Sequence, residues 1–193
     1  MKYDDLRSGI LNCRLCHSKF GFEPHPIVMG NEVSKIVQIS QAPSQNVHQT
    51  LKPFDDASGK KLRNEWYHVS DDVFYDYNNF YIASIAHCYP GKNKSGGDKL
   101  PPVFCAKTWL VRELPLINNR IYILLGSRAA HFFFPGEDFS SLVFEDRRIN
   151  DKPAYILPHP SPLNVKWFKD HPRFLSERVF AIEEAVHSAL AIL

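Results

Sequence analysis

Three groups of residues in this chain of 193 carry side chains capable of chemistry. The first is the run Leu157-Pro158-His159-Pro160-Ser161-Pro162-Leu163. Each proline fixes its φ and lacks a backbone donor, so the turn is stiff and holds His159 near Leu163. The imidazole can donate or accept a proton near neutral pH. The second group is the cysteines. Cys13 and Cys16 form a C-x2-C pair, and Cys88 and Cys105 flank a Gly/Lys-rich loop far downstream. Four thiolates suit a structural metal site, and both zinc and iron–sulfur clusters accept them. Spacing alone does not separate the two. The third group is Ser40-Gln41-Ala42-Pro43-Ser44, followed by Pro53-Phe54 and the acids Asp55 and Asp56. Taken singly, each group has a plainer reading: a proline-rich surface loop, buried thiols acting as small hydrophobes, a solvated acidic turn.

The elements that would position these groups follow from hydrophobic patterning. Residues 35–40, 79–87, 120–125 and 153–158 are apolar runs of strand length, rich in β-branched and aromatic residues. Helices are expected at 3–12, 60–69, 103–116 and 127–134, the last with Ser127 as its cap, and a closing helix at 174–193. In the closing helix Leu175, Val179, Ile182, Val186 and Leu190 fall at helical spacing. Residues 17–34 read as an irregular loop. Continuous apolar strands alternating with helices predict an α/β fold, with a mainly parallel sheet covered on both faces. In such sheets the ligand crevice lies beyond the carboxyl ends of the strands. The loops starting at Gln41, Cys88, Gly126 and His159 all leave from that edge.

Length predicts one domain over residues 1–193. The net charge of +2 gives no global basic field, although a local basic face stays open. The opening MKYDDLRSGI carries acids and lacks the apolar stretch of a secretory signal. No segment approaches the ~18 to 20 apolar residues of a membrane span. A cytoplasmic, reducing location is therefore expected, where metal binding by cysteine is commoner than disulfides. A P-loop is excluded, because Gly96-Gly97 precedes Asp98-Lys99-Leu100 and no adjacent helix start.

Together the motifs resemble the uracil-DNA glycosylase superfamily. The run from Ser40 to Ser44, with Pro53-Phe54 and Ser58-Gly59, is similar to its first motif. His159-Pro160-Ser161-Pro162-Leu163 is similar to its second, and the cysteine spacing is similar to that of the iron–sulfur (family 4-like) branch. The resemblance implies a three-layer αβα sandwich around a four-stranded sheet. It also implies hydrolysis of the N-glycosidic bond to a deaminated base in DNA, most often uracil. Its cofactor would be a 4Fe–4S cluster at Cys13, Cys16, Cys88 and Cys105, with structural zinc as the alternative. The partner would be DNA containing a damaged base, met by a monomer with no membrane association.

On this reading His159 contacts the extruded base, while Gln41 and Asp55 (or its neighbour Asp56) orient or polarise water. Phe54 stacks on the base, with Ala42 and Ser84 also lining the pocket. The turn Pro160, Ser161, Pro162 presses on the minor groove, and Leu163 fills the vacated stack. Lys166 meets phosphates, together with Lys92, Lys94 and Arg173. Two departures stand out. No acid occurs from Ile36 to Phe54, where other members often carry a carboxylate or Asn in the first motif, and Ser84 aligns with the asparagine many members use to read uracil. They leave hypoxanthine or xanthine as alternative bases. They also leave a second function open, a binding protein of the same fold that recognises damaged or single-stranded DNA without hydrolysis.

Overall fold

The computed structural model describes residues 2–191. In chain order the strands are β1 (Ile36–Ser40), β2 (Phe80–Ser84), β3 (Ile121–Leu125), β4 (Arg147–Ile149) and β5 (Lys152–Leu157). The first helices are α1 (Tyr3–Leu11), α2 (Leu15–Phe20), α3 (Gln45–Thr50), α4 (Ala57–Lys61) and α5 (Asp71–Tyr75). They are followed by α6 (Val103–Cys105), α7 (Val111–Glu113), α8 (Ser127–Phe133), α9 (Phe139–Phe144), α10 (Val165–Asp170) and α11 (Val179–Leu190). Every residue of β1, β2 and β3 is buried, as continuous apolar runs covered on both faces require.

The sheet order is β2-β1-β3-β5-β4. The β1–β2, β1–β3 and β3–β5 pairs are parallel, so the expected mainly parallel α/β sheet is present. It has five strands rather than four. The extra strand, β4, pairs antiparallel with β5 at the sheet edge. The connecting residues Asn150 and Asp151 both have positive φ, at 48° and 60°, which is the backbone of a tight two-residue hairpin.

Several boundaries differ from the sequence expectation for local reasons. Residues 17–34 are not wholly irregular: α2 runs to Phe20 and stops at Gly21, whose φ is 68°. Met29 then makes an antiparallel bridge to Ile82, covering the free edge of β2. Ser127 is the first helical residue of α8, and Gly126 takes the cap position with φ 82°. The closing helix opens with a π-helical turn, Phe174–Arg178. The wider turn moves Leu175 out of the buried seam, so it is exposed while Val179, Ile182, Val186 and Leu190 are buried. The last two residues expected in that helix, 192–193, lie outside the described residues.

A second π-helical turn, Leu62–Tyr67, continues α4 and drives Leu62, Trp66 and Tyr67 into the core. Tyr67 donates a 2.8 Å hydrogen bond to Gln38 Oε1, so the polar residue in the middle of β1 has a partner. No helix among the described residues is long and apolar enough to cross a membrane.

Candidate active site

A cavity of about 190 Å³ opens at the carboxyl ends of β1, β2 and β5. Its floor comes from strand register. Ser40 and Ser84 are paired across β1 and β2, and their hydroxyl oxygens lie 2.8 Å apart. A hydroxyl both donates and accepts, so the pair can turn either face to a ligand edge. The backbone beyond β1 stays attached to the segment after β2, with Ile85 N donating to Ser40 O and Ala86 N to Gln41 O. This holds Gln41, Ala42 and Pro43 along one wall. Ser44 then caps α3 by accepting from Val47 N at 3.3 Å.

Phe54 forms the aromatic wall and stands edge-on to Phe74, 6.3 Å between centroids. Its φ is +56°, a left-handed backbone that costs a bulky residue roughly 1–3 kcal/mol. A β-carbon at Gly59 would lie 1.7 Å from the Phe54 carbonyl oxygen, so only glycine fits where α4 passes over it.

His159 enters from the end of β5. Its Nδ1 accepts a 3.1 Å hydrogen bond from Ser161 N. The neutral ring must then carry its proton on Nε2, which makes Nε2 a donor. Protein atoms crowded around the ring desolvate it and lower the His159 pKa below its ordinary 6.5, although the residue is exposed at the cavity mouth, and the Asp56 carboxylate opposes that shift. The imidazole is thus neutral at neutral pH. The turn is locked by its own bonds: Leu163 N donates to Ser161 Oγ, and Asn164 Nδ2 donates to the His159 carbonyl. Gly126 lies beneath, where a β-carbon would sit 3.7 Å from His159 Cβ.

The structure gathers His159, Gln41, Ala42, Phe54 and Ser84 in this cavity. Asp55 lies outside its lining and pairs with Lys52 at 3.4 Å. Asp56 lines the cavity instead, with Oδ1 capping α4 through Gly59 N at 2.9 Å. A second acid, Asp98, also lines it and was not read from the sequence. It arrives because Lys92 bridges back to Asp98 around a turn in which Asn93 Oδ1 accepts from Ser95 N and Gly97 N. Asp98 Oδ1 in turn accepts from Tyr89 OH at 3.2 Å and Lys92 Nζ at 2.8 Å. An Asn followed by two glycines was the available signal for that hairpin.

At the rim, Pro160 is buried, Ser161 half-buried and Pro162 exposed. Leu163 stands 92% exposed, an unusual state for a large apolar side chain fixed on a stiff turn. The basic candidates nearby are paired with acids: Lys166 with Asp170, Arg173 with Glu177, and Lys92 with Asp98.

The four cysteines meet elsewhere. Cys13, Cys16, Cys88 and Cys105 are all free thiols and line one small apolar cavity, of about 10 Å³, with Ile10, Pro24, Pro26, Phe104 and Trp109. Burial, then the neighbouring sulfurs, push Cys16 up to about 11 and Cys88 up to about 12. His87 leans on the same group. Its backbone N donates to Cys105 Sγ at 3.5 Å, and its Nε2 lies 2.7 Å from Glu113 Oε2. No three Cys, His, Asp or Glu side chains among the described residues stand ready-made as a metal site. The donor set nevertheless fits a soft metal centre. Four sulfur donors converge on one apolar cavity, and a bound cation would favour their thiolate forms.

A mainly parallel α/β sheet with an aromatic wall, a hydroxyl floor and an imidazole gathered at its carboxyl edge places this chain among α/β proteins with a cavity at the strand ends. The family model described as the Uracil DNA glycosylase superfamily matches residues 27–183, and the chain belongs to that superfamily. The resemblance carried by the two motifs is thereby borne out. Cys13 and Cys16 precede the matched span. The chain is 30% identical over 138 residues to a Type-4 uracil-DNA glycosylase of Archaeoglobus fulgidus, an alignment covering 68% of this chain and 63% of that protein. It is 21% identical over 142 residues to a Type-4 uracil-DNA glycosylase of Sulfurisphaera tokodaii, covering 72% and 62%. It therefore spans a little under two thirds of the length of these relatives.

Proposed function

We propose that this protein is a monofunctional DNA glycosylase that hydrolyses the bond between deoxyribose and a deaminated base, most readily uracil. The observation that carries the proposal is the single cavity joining Phe54, the Ser40–Ser84 pair and His159 within the span matched by the superfamily. The target nucleotide leaves the duplex, at a few kcal/mol of unstacking, and enters the cavity. Phe54 stacks on its face, and the two serine hydroxyls and Gln41 meet its edge. Leu163 fills the gap left in the stack, and Lys166 and the turn from Pro160 to Pro162 lie along the backbone.

The carbon–nitrogen bond breaks with its electrons going to the base. His159 Nε2–H donates to the oxygen on which that charge collects, a bond that strengthens toward the transition state. Water adds to the sugar carbon and gives up one proton, which ends on the departing base, and Asp56 and Asp98 supply the negative charge at the cavity that the first motif lacks. The products are free base and an abasic site. Because water is the nucleophile, no lysine forms a Schiff base.

The cysteine quartet is assigned to a 4Fe–4S cluster with a structural role. When bound, it would tie the N-terminal segment to the loop after β2, and no chemical step passes through it. The chain acts on DNA as one domain and as a monomer. A second reading is favoured by one observation, the absence of an acid at Gln41 and Ala42: a protein that flips and binds damaged DNA without cutting. An abasic-site assay on uracil- and hypoxanthine-containing duplexes, with a separate parallel reaction in borohydride to trap any Schiff base, separates the readings. The proposal expects alkali-labile sites at uracil and no covalent adduct. Tight binding without labile sites would support the second reading and overturn the first.

A further inference from the structure

We infer that Arg63 is a positioning residue for base recognition, holding Phe54 in its strained backbone conformation so that the ring stands ready to stack; this rests on the glycosylase reading of the cavity. Arg63 is 2% exposed and lies outside the cavity lining. Its Nη1 donates to the Phe54 carbonyl at 2.9 Å, and its Nε donates to Asp71 Oδ1 at 2.5 Å. The guanidinium packs over the Phe74 and Tyr75 rings, 5.2 and 5.1 Å from their centroids. Tyr75 OH lies 3.1 Å from the Pro53 carbonyl and 3.2 Å from that of Phe54, so its proton serves the same segment.

The clamp answers a definite need. The Phe54 backbone has φ +56°, and its carbonyl lies toward α4, so close to Gly59 that a β-carbon there would sit 1.7 Å from the oxygen. An inward carbonyl without a donor is costly, and a charged donor is the strongest available partner. Without Arg63 the segment can regain an ordinary extended or helical backbone by rotating that peptide, and the rotation carries the phenyl ring off the cavity wall. A buried arginine with one exposed acid partner is an expensive device for stability alone, because the ion must be stripped of water. A rigid wall that needs no rearrangement when the base arrives is a return on that cost.

A merely structural arginine and a positioning one differ in how they couple to Phe54. The test is a double-mutant cycle of Arg63→Gln and Phe54→Ala. Its readout is the ratio of affinities for a duplex carrying one 2′-fluorinated deoxyuridine, which resists hydrolysis, and the same duplex without it. The inference expects Arg63→Gln to lower that ratio about tenfold with plain-duplex affinity unchanged, and to lower it less than twofold further when Phe54 is already Ala. If Arg63→Gln does not fold, Asp71→Asn, on the exposed side of the clamp, is carried through the same cycle. A ratio unchanged by the Arg63 or Asp71 variant overturns the inference, as does an equal loss in both backgrounds. Native protein indifferent to the uracil nucleotide overturns instead the reading of the cavity, and this inference with it.

Discussion

The cavity beside His159 and the cavity among the cysteines are built on opposite principles. The first is half-open, of about 190 Å³, and its groups are held by hydrogen bonds from neighbouring backbone: Ser161 N to His159, Gly59 N to Asp56, strand register for the two serines. The second is about 10 Å³, apolar, and its thiols come from four separated points of the chain. Local bonds fix orientation at small energetic cost, which suits groups that must act on a ligand. Convergence of distant segments on one dry point suits cohesion. A mutation in the first cavity should therefore cost activity, and one in the second should cost the fold.

The largest effect is therefore expected at the thiols. Cys88→Ser should abolish bound iron and lower stability by several kcal/mol, because metal-binding free energy is folding free energy at such a site. Thermal unfolding and iron analysis of anaerobically purified protein check this; a variant as stable as native, with its iron retained, would show that the thiols do not hold the fold together. Zinc without iron in native protein would keep the quartet and reject the cluster.

Next is the open cavity. His159→Ala should lower the single-turnover rate by about 10² to 10³, typical for losing one donor to a developing anion, and leave thermal stability and DNA affinity close to native. Paired rate and melting measurements show whether the two cavities really divide the work. A smaller effect belongs to the rim. Leu163→Ala should weaken binding to uracil-containing duplex roughly tenfold more than to plain duplex, the scale of one buried Leu side chain. Equal weakening on both DNAs would remove its role in filling the stack.

The smallest effect is in pH. His159 is useful when neutral, and desolvation lowers its pKa below 6.5. The rate should stay flat through neutrality and fall only below pH ~6.5. Asp56 raises that pKa against desolvation, so Asp56→Asn should move the fall to still lower pH. The same sign governs stability: a histidine whose folded pKa is depressed contributes stability above the unfolded value, lost as pH drops through it. A rate that rises on acidification would contradict the assigned tautomer.

Much of this contrast was legible in residue order. The three fully buried strands are mainly apolar runs, interrupted inside only at Gln38, and the His-Pro-Ser-Pro-Leu turn announces a stiff loop at a strand end. What escaped was short or non-local. Strand β4 is three residues long and carries two arginines, so no apolar period marks it. Of two adjacent acids, Asp55 and Asp56, only the geometry of the α4 cap decides which one lines the cavity. Asp98 reaches it through a hairpin whose turn residues, Asn93, Gly96 and Gly97, mark a turn but not which side chain it delivers. The π-helical turns, which displaced Leu175, leave no signature in a pattern read at 3.6 residues per turn.

If the open cavity breaks the glycosidic bond, His159 holds charge on the departing base. This role is tested most directly by single-turnover release of uracil and of 5-fluorouracil by native protein and by His159→Ala. Fluorine stabilises the anion of the departing base, so less is demanded of the imidazole. The loss is expected to be large on uracil and to shrink markedly on 5-fluorouracil. Equal losses on the two bases, or no loss on either, would contradict that role.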